Sequence, residues 1–142
     1  MKSPTLIILQ FSLLGGIILN TGNSLFTIKS LLITAPAILL AVWAIVAMRK
    51  SRFRISPIPA PDASLVISGP YQVIRHPMYS AILLFVTGLL VIHYNTAQLI
   101  AALLLALVLL VKSKWEEIML INKFPEYKAY MRHTKSIIPY IL

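Results

Sequence analysis

The chain has 142 residues, of which 58% are hydrophobic and 12% charged, against about 25% charged in an ordinary soluble domain, so a bilayer is its natural solvent. Thirteen Lys and Arg oppose four Asp and Glu; this basic balance suits anionic headgroups or small anions, and the cations flank apolar segments without the aromatic-interleaved patch of a nucleic-acid binder. No cysteine is present, which excludes disulfides, thiolate metal sites and a cysteine nucleophile.

Taken in chain order, an apolar run from Leu6 follows Lys2. It resembles the start of a signal peptide, but no small-residue cleavage site follows, and a retained first span is expected. Apolar segments cover residues 6–19, 31–48, 78–93 and 96–111, predicting an all-α polytopic membrane protein with about four transmembrane helices. Several are shorter than the roughly 20 residues that cross a bilayer upright. The first segment extends toward Leu25-Phe26-Thr27-Ile28 across a break near Asn20-Thr21-Gly22-Asn23. Residues 1–48 thus form a first helical pair.

Residues 49–77 form a connection in which Ser56-Pro57-Ile58-Pro59-Ala60-Pro61 favours extended chain over helix. Ser68-Gly69-Pro70 is a turn signal, and Pro77 suits a first helical turn, where its missing N–H costs nothing. Only Tyr94-Asn95 separates the third and fourth segments, so residues 78–111 are expected to be an antiparallel hairpin. Residues 112–142 form a C-terminal cap of the same single domain. There Trp115, Ile118, Met119, Ile121, Phe124, Tyr127 and Tyr130 recur at helical intervals among charges, interrupted near Pro125, as in an interfacial amphipathic helix. Arg49, Lys50, Arg52, Arg54 and Arg75 lie in the second connection, and Lys112, Lys114, Lys123, Lys128, Arg132 and Lys135 follow the last segment. The positive-inside rule then places both termini and any site built there on the cytoplasmic side.

Two motifs carry chemistry. Arg75-His76-Pro77 stands at the mouth of the third segment, where an arginine and a histidine are ordinary membrane-interface anchors. Glu116-Glu117 follows the fourth, where adjacent carboxylates repel one another, unless helical spacing pairs them with Lys112, Lys114 or Lys123. The hairpin brings the two motifs together. Such a cluster can hold a zwitterion, its carboxylates facing an ammonium and its His or Arg a carboxylate. One histidine and two adjacent glutamates make a poor metal site, and none is assigned. Ser64 and Ser80 lie near His76, but no nucleophile elbow surrounds them and Asp62 falls among the prolines, which disfavours a hydrolase. His93 and His133 read as interfacial.

The run Ser68-Gly69-Pro70-Tyr71-Gln72-Val73-Ile74-Arg75-His76-Pro77-Met78-Tyr79 with Glu116-Glu117 resembles the isoprenylcysteine carboxyl methyltransferase and phospholipid N-methyltransferase group of membrane enzymes. Phe124-Pro125-Glu126-Tyr127-Lys128-Ala129-Tyr130, Thr134 and Ile137-Ile138-Pro139 resemble the group's closing pattern. The resemblance covers residues 60–140. It implies S-adenosylmethionine as methyl donor, bound from the cytosol under the C-terminal segment, with a lipophilic acceptor entering from the membrane. Carried over by position, Ala63, Ser64, Leu65, Val66, Tyr71, His76, Pro77, Met78 and Tyr79 surround the cofactor, and Glu116 with Glu117 binds its amino or ribose groups. Methyl transfer from a sulfonium depends mainly on positioning in a dry site.

The departures concern the acceptor. Carboxyl-methylating members carry an Arg one turn before the glutamates; this chain has Lys112, a point charge without the guanidinium fork. Ala81 stands where glycine is usual, and Ser136 where a basic residue is expected. An acceptor carboxylate would be oriented by Arg75 or Lys112, whereas an amine would need a base, first of all Glu117. The sequence therefore leads to a membrane methyltransferase acting on an isoprenylcysteine-like carboxylate or other lipid-like molecule. N-methylation of a phospholipid amine is the alternative within the class, a sterol-reductase-like enzyme a remoter one, and a non-enzymatic scaffold or accessory protein the alternative outside it.

Overall fold

The computed structural model describes residues 3–49 and 64–139. The proline-rich connection, with Asp62 and Ala63, lies outside them. The described chain is all-helical: α1 (Ser3–Thr21), a 3-10 turn (Gly22–Phe26), α2 (Ile28–Met48), a second 3-10 turn (Gly69–Gln72), α3 (Pro77–Ile92), α4 (Thr96–Lys123) and α5 (Tyr127–His133).

Local chemistry sets these boundaries. Gly22 takes a φ of 56°, a left-handed conformation that ends α1 where the sequence predicts a break. The Thr27 hydroxyl then caps α2 by accepting from the Ser30 N–H at 3.2 Å. That helix begins three residues earlier than its apolar run. Pro77 opens α3, and Asn95 caps α4 by accepting from the Gln98 N–H at 2.8 Å. The boundary expected after Val111 falls inside α4, which continues without interruption to Lys123 and ends just before Pro125. The amphipathic pattern from Lys114 to Tyr130 is thus divided: its first part extends α4, and its last forms α5.

Among the described residues, three helices are long and apolar enough to cross a membrane: Pro4–Phe26, Ile28–Met48 and Thr96–Lys123. The fourth apolar helix, α3, has 16 residues, about 24 Å at 1.5 Å per residue, short of a hydrocarbon core of about 30 Å. At 28 residues, α4 is about 42 Å long and overshoots that core by roughly eight residues. Glu116 and Glu117 fall in this overshoot.

The burial pattern is that of a chain solvated by lipid. Ile8, Phe11, Leu19, Leu32, Leu39 and Leu103 are exposed, while Gln10, Thr21, Ser30, Thr34, Gln98 and Lys112 are buried. Helices in lipid gain little by hiding leucine from a solvent equally apolar; they associate through small and polar residues. Accordingly α2 presents Ser30, Thr34, Ala37 and Ala44 to α3, its main packing partner. A Cβ on Gly88 of α3 would lie 3.1 Å from Ile33 Cγ2 and 3.3 Å from Thr34 Cγ2, so an alanine there would require these neighbours to give by a few tenths of an ångström. The other main pair is α1 with α4, joined by Gln98 donating to Thr21 Oγ1 at 3.2 Å. A core of Ile17, Tyr79, Val86, Leu89, Ala102, Leu105, Leu109 and Ile137 links the pairs.

After α5 the chain turns back beside the approach to α3. Lys135 donates its N–H to Val73 O at 3.1 Å, Arg75 to Lys135 O at 2.7 Å and His76 to Ser136 O at 2.9 Å, a short parallel pairing. This tail fixes Arg75 and His76 next to the end of α4.

Candidate active site

Arg75 and His76 emerge on an extended link between the 3-10 turn and α3, and Glu116 and Glu117 stand on the emergent end of α4. The structure brings them together. Arg75 donates Nε to Glu117 Oε1 at 2.8 Å, with only 8% and 4% of the two side chains exposed. Its Nη1 donates to the carbonyls of Met131 and Thr134. Glu117 Oε1 also accepts from Ser136 Oγ at 3.1 Å, and Lys114 Nζ lies 3.5 Å from Oε2. Glu117 and Arg75 are therefore enclosed and mutually satisfied. Both are expected from the sequence to serve the substrates; in the fold Arg75 holds Glu117 and the carbonyls of Met131 and Thr134, and Glu117 is also contacted by Ser136, Lys114 and His76.

Glu116 is placed differently. Its Oε1 accepts from the Tyr79 hydroxyl at 2.5 Å, and its Oε2 lies 3.2 Å from His76 Nδ1, with 17% of the side chain exposed. The His76 and Tyr79 rings stack with centroids 5.3 Å apart and planes 7° from parallel. His76 Nε2 is 3.5 Å from Glu117 Oε1 but makes no hydrogen bond, and neither does the buried Tyr127 hydroxyl. Burial opposes protonation of His76, but the adjacent Glu116 and Glu117 carboxylates prevail and raise its pKa above the ordinary value. For the phenols burial acts in the opposite sense, raising the pKa of Tyr71 and pushing that of Tyr130 up to about 12.

The other expected residues divide. Tyr71 is buried, and its carbonyl accepts from the Tyr130 hydroxyl. Pro77 is buried in the first turn of α3. Leu65 lines a cavity of about 390 Å³ with Ile67, Gln72, Glu126, Ala129, Tyr130, His133 and Thr134. Ser64 is exposed, Val66 and Met78 partly buried, and none of the three lines that cavity. Lys112 takes no part in the ion pairs of the described residues: 2% exposed, it donates Nζ to Gln10 Oε1 on α1 at 2.9 Å and lies 5.2 Å from the Tyr79 ring centroid. Gln10 was not foreseen. A lone glutamine in an apolar run carries no spacing signal; its polarity at that depth is the one available clue.

An acidic side chain left partly exposed beside an imidazole and a phenol can take a ligand with a cationic end; the cavity is lined by none of these three residues and meets the cluster only through Thr134, whose carbonyl accepts from Arg75. A membrane-embedded helical protein with such a cluster at a helix end is the class that the fold and site define. The phospholipid methyltransferase family model matches residues 25–127, more than half the chain and spanning both motifs, and the protein belongs to this family of membrane methyltransferases. It is also 36% identical over 77 residues to the cobalt-zinc-cadmium resistance protein CzcN of Cupriavidus metallidurans, a match covering 54% of this chain and 36% of that protein. The chain thus spans about a third of that relative's length, and the relative's name carries no indication of methyl transfer. No solved structure matches the chain.

Proposed function

We propose that the protein is an integral membrane methyltransferase that uses S-adenosylmethionine and acts on a lipophilic acceptor, with its site at the cytoplasmic face. The observation that carries this reading is the Glu116 carboxylate, oriented by Tyr79 and His76 yet left partly exposed. The donor set suits the cofactor, with a carboxylate for its ammonium, and a cavity of about 390 Å³ on the α5 side of the Arg75 contacts is within the usual size range of small-molecule pockets. Leu65 and Tyr130 in the cavity wall support a place there for the nucleoside end. Placement of both termini in the cytosol rests on the cation distribution.

When bound, S-adenosylmethionine supplies a methyl group on a sulfonium, open to in-line displacement. The chain's own residues bind, orient and exclude water. In this reading Glu116 holds the cofactor's amino group, Tyr79 and His76 fix the carboxylate, and the Arg75 and Glu117 pair holds the tail closed over the site. The apolar helices keep the reacting atoms dry, where positioning contributes most.

An acceptor carboxylate arrives already ionised, and the Lys112 ammonium, 5.2 Å from the Tyr79 ring centroid, is the cation proposed to orient it. Glu117, the base first expected for an amine acceptor, already accepts from Arg75 and Ser136, which favours the ionised acceptor. N-methylation of a phospholipid amine is the second reading, favoured by the family match. Equilibrium binding of labelled S-adenosylmethionine to the purified protein tests the core of the proposal. Saturable binding, weakened by Glu116→Gln and by His76→Ala, is expected. Its absence in the wild type would overturn the enzyme reading in favour of a non-enzymatic scaffold.

A further inference from the structure

The contact between Lys112 and Gln10 lies outside both motifs. It spans 102 positions of sequence and joins α1 to α4, with Gln10 4% and Lys112 2% exposed. Among the described residues, no ion pair includes Lys112. An ammonium in a lipid-solvated bundle is costly to keep, and charges that persist there line substrate routes more often than they stabilise the fold.

Its surroundings limit what it can do. An ammonium has three N–H donors and no acceptor. One is directed at Gln10 Oε1, and the face of Tyr79 lies beside it at 5.2 Å, a cation–π arrangement. Two partners leave donor capacity for a third. The Tyr79 hydroxyl donates to Glu116, so a single ring separates the ammonium from the carboxylate assigned to the cofactor. The site is thus polarised, negative at Glu116 on the emergent end of α4 and positive one helical turn deeper.

We propose that Gln10 is a positioning residue: its amide oxygen aims the Lys112 ammonium against Tyr79, and this fixed charge selects amphiphiles bearing a carboxylate or phosphate over amphiphiles bearing an ammonium. The role rests on the methyltransferase reading for its meaning in turnover, but its binding consequence stands alone. Without Gln10 the lysine keeps its charge and loses the partner that directs it.

The test uses the full chain in nanodiscs without cofactor, with protein-free discs as background. Binding of dodecanoate, dodecyl phosphate and dodecylamine is measured by displacement of a fluorescent fatty acid. The wild type should bind at least one of the two anions about tenfold or more tightly than the amine, and the stronger of the two identifies the group recognised. Gln10→Leu should remove most of that preference, and Lys112→Met all of it. Gln10→Glu retains an oxygen acceptor at the same length while neutralising the ammonium, so it should fold and still lose the preference, which covers a misfolded leucine variant. S-adenosylmethionine binding should be unchanged in Gln10→Glu, as a general structural defect would not leave it. A wild type that does not discriminate anion from amine, or a Gln10→Glu protein that discriminates as the wild type does, overturns the proposal. Failure of the wild type to bind S-adenosylmethionine overturns the methyltransferase reading instead, so the two failures are distinguishable.

Discussion

Glu117→Gln should open the C-terminal tail while leaving the helical bundle assembled. The substitution preserves shape and removes one charge, so the Arg75 guanidinium, in a side chain 8% exposed, loses its counter-ion. Breaking a buried pair by removing one partner costs about 3–5 kcal/mol. The carbonyls of Met131 and Thr134 still accept from Arg75, so the lower figure applies, and at about 1.4 kcal/mol per factor of ten the tail should open roughly a hundredfold more often. Hydrogen exchange reads this directly, because the amides of Lys135, Arg75 and His76 are the donors that join the tail to the approach of α3. Protein in nanodiscs, compared at one pH, should exchange these three amides about two orders of magnitude faster than the wild type, with α1 and α2 unaffected. The companion Glu116→Gln should accelerate them by less than about tenfold, since Glu116 bonds Tyr79 and His76, not the tail. Wild-type-like exchange in Glu117→Gln, or equal acceleration in both variants, would refute the division of labour between the two glutamates.

Tyr79→Phe removes a donor to a carboxylate, an interaction of about 1.5–3 kcal/mol, and should weaken S-adenosylmethionine binding by roughly tenfold or more in an equilibrium assay; unchanged affinity would detach Glu116 from the cofactor. The pKa of His76 is raised in the fold, so its contribution to stability is complete below the unfolded value of about 6.5 and is lost as pH rises through the folded value. The thermal unfolding midpoint of the wild type should therefore exceed that of His76→Gln at pH 6 by a margin that narrows toward pH 9, and a constant margin would contradict a protonated His76. Gly88→Leu should separate α2 from α3, since even a Cβ would lie 3.1 Å from Ile33 Cγ2; overpacking of this kind costs about 1–3 kcal/mol, measurable as a lower denaturation midpoint in detergent, with Gly88→Ala intermediate. Gly69→Ala combines a φ of 62° with a Cβ placed 3.1 Å from Trp43 Nε1 and should reduce S-adenosylmethionine binding by displacing the approach to His76, an effect that should be absent in Gly15→Ala, where open space surrounds the new Cβ.

Features with a local cause were legible in the sequence. The break at Gly22, the proline start of α3 and the stop before Pro125 each depend on one residue's backbone chemistry. The meeting of Arg75-His76 with Glu116-Glu117 was also legible, because two residues between apolar segments leave room only for a reversal. The end of the fourth apolar run was misleading: Lys112 and Lys114 interrupt hydrophobicity but not helix propensity, so α4 runs on and carries the glutamates outward. Partner choice was not readable at all. Nothing in a list of cations tells Arg75 to take Glu117 or Lys112 to take Gln10, because those choices depend on the rotation and depth of packed helices.

The two glutamates are adjacent in sequence, and for that reason they cannot share a role. Successive residues on a helix project about 100° apart, so a carboxylate aimed at Tyr79 leaves its neighbour aimed elsewhere, here at Arg75 and Ser136. Among the described residues, His76 is the one side chain placed within 3.5 Å of both, with Nδ1 3.2 Å from Glu116 and Nε2 3.5 Å from Glu117. Its backbone N–H is held by the tail through Ser136 O. A ligand that drew on the Glu116 carboxylate would weaken the pull of Glu116 on the imidazole and leave Glu117 as its main counter-charge. The ring would then favour the side on which the tail is anchored. If Glu116 holds the cofactor as proposed, occupation of the site and closure of the tail are linked through His76, whose ring stands between the two carboxylates while its backbone N–H is held by the tail.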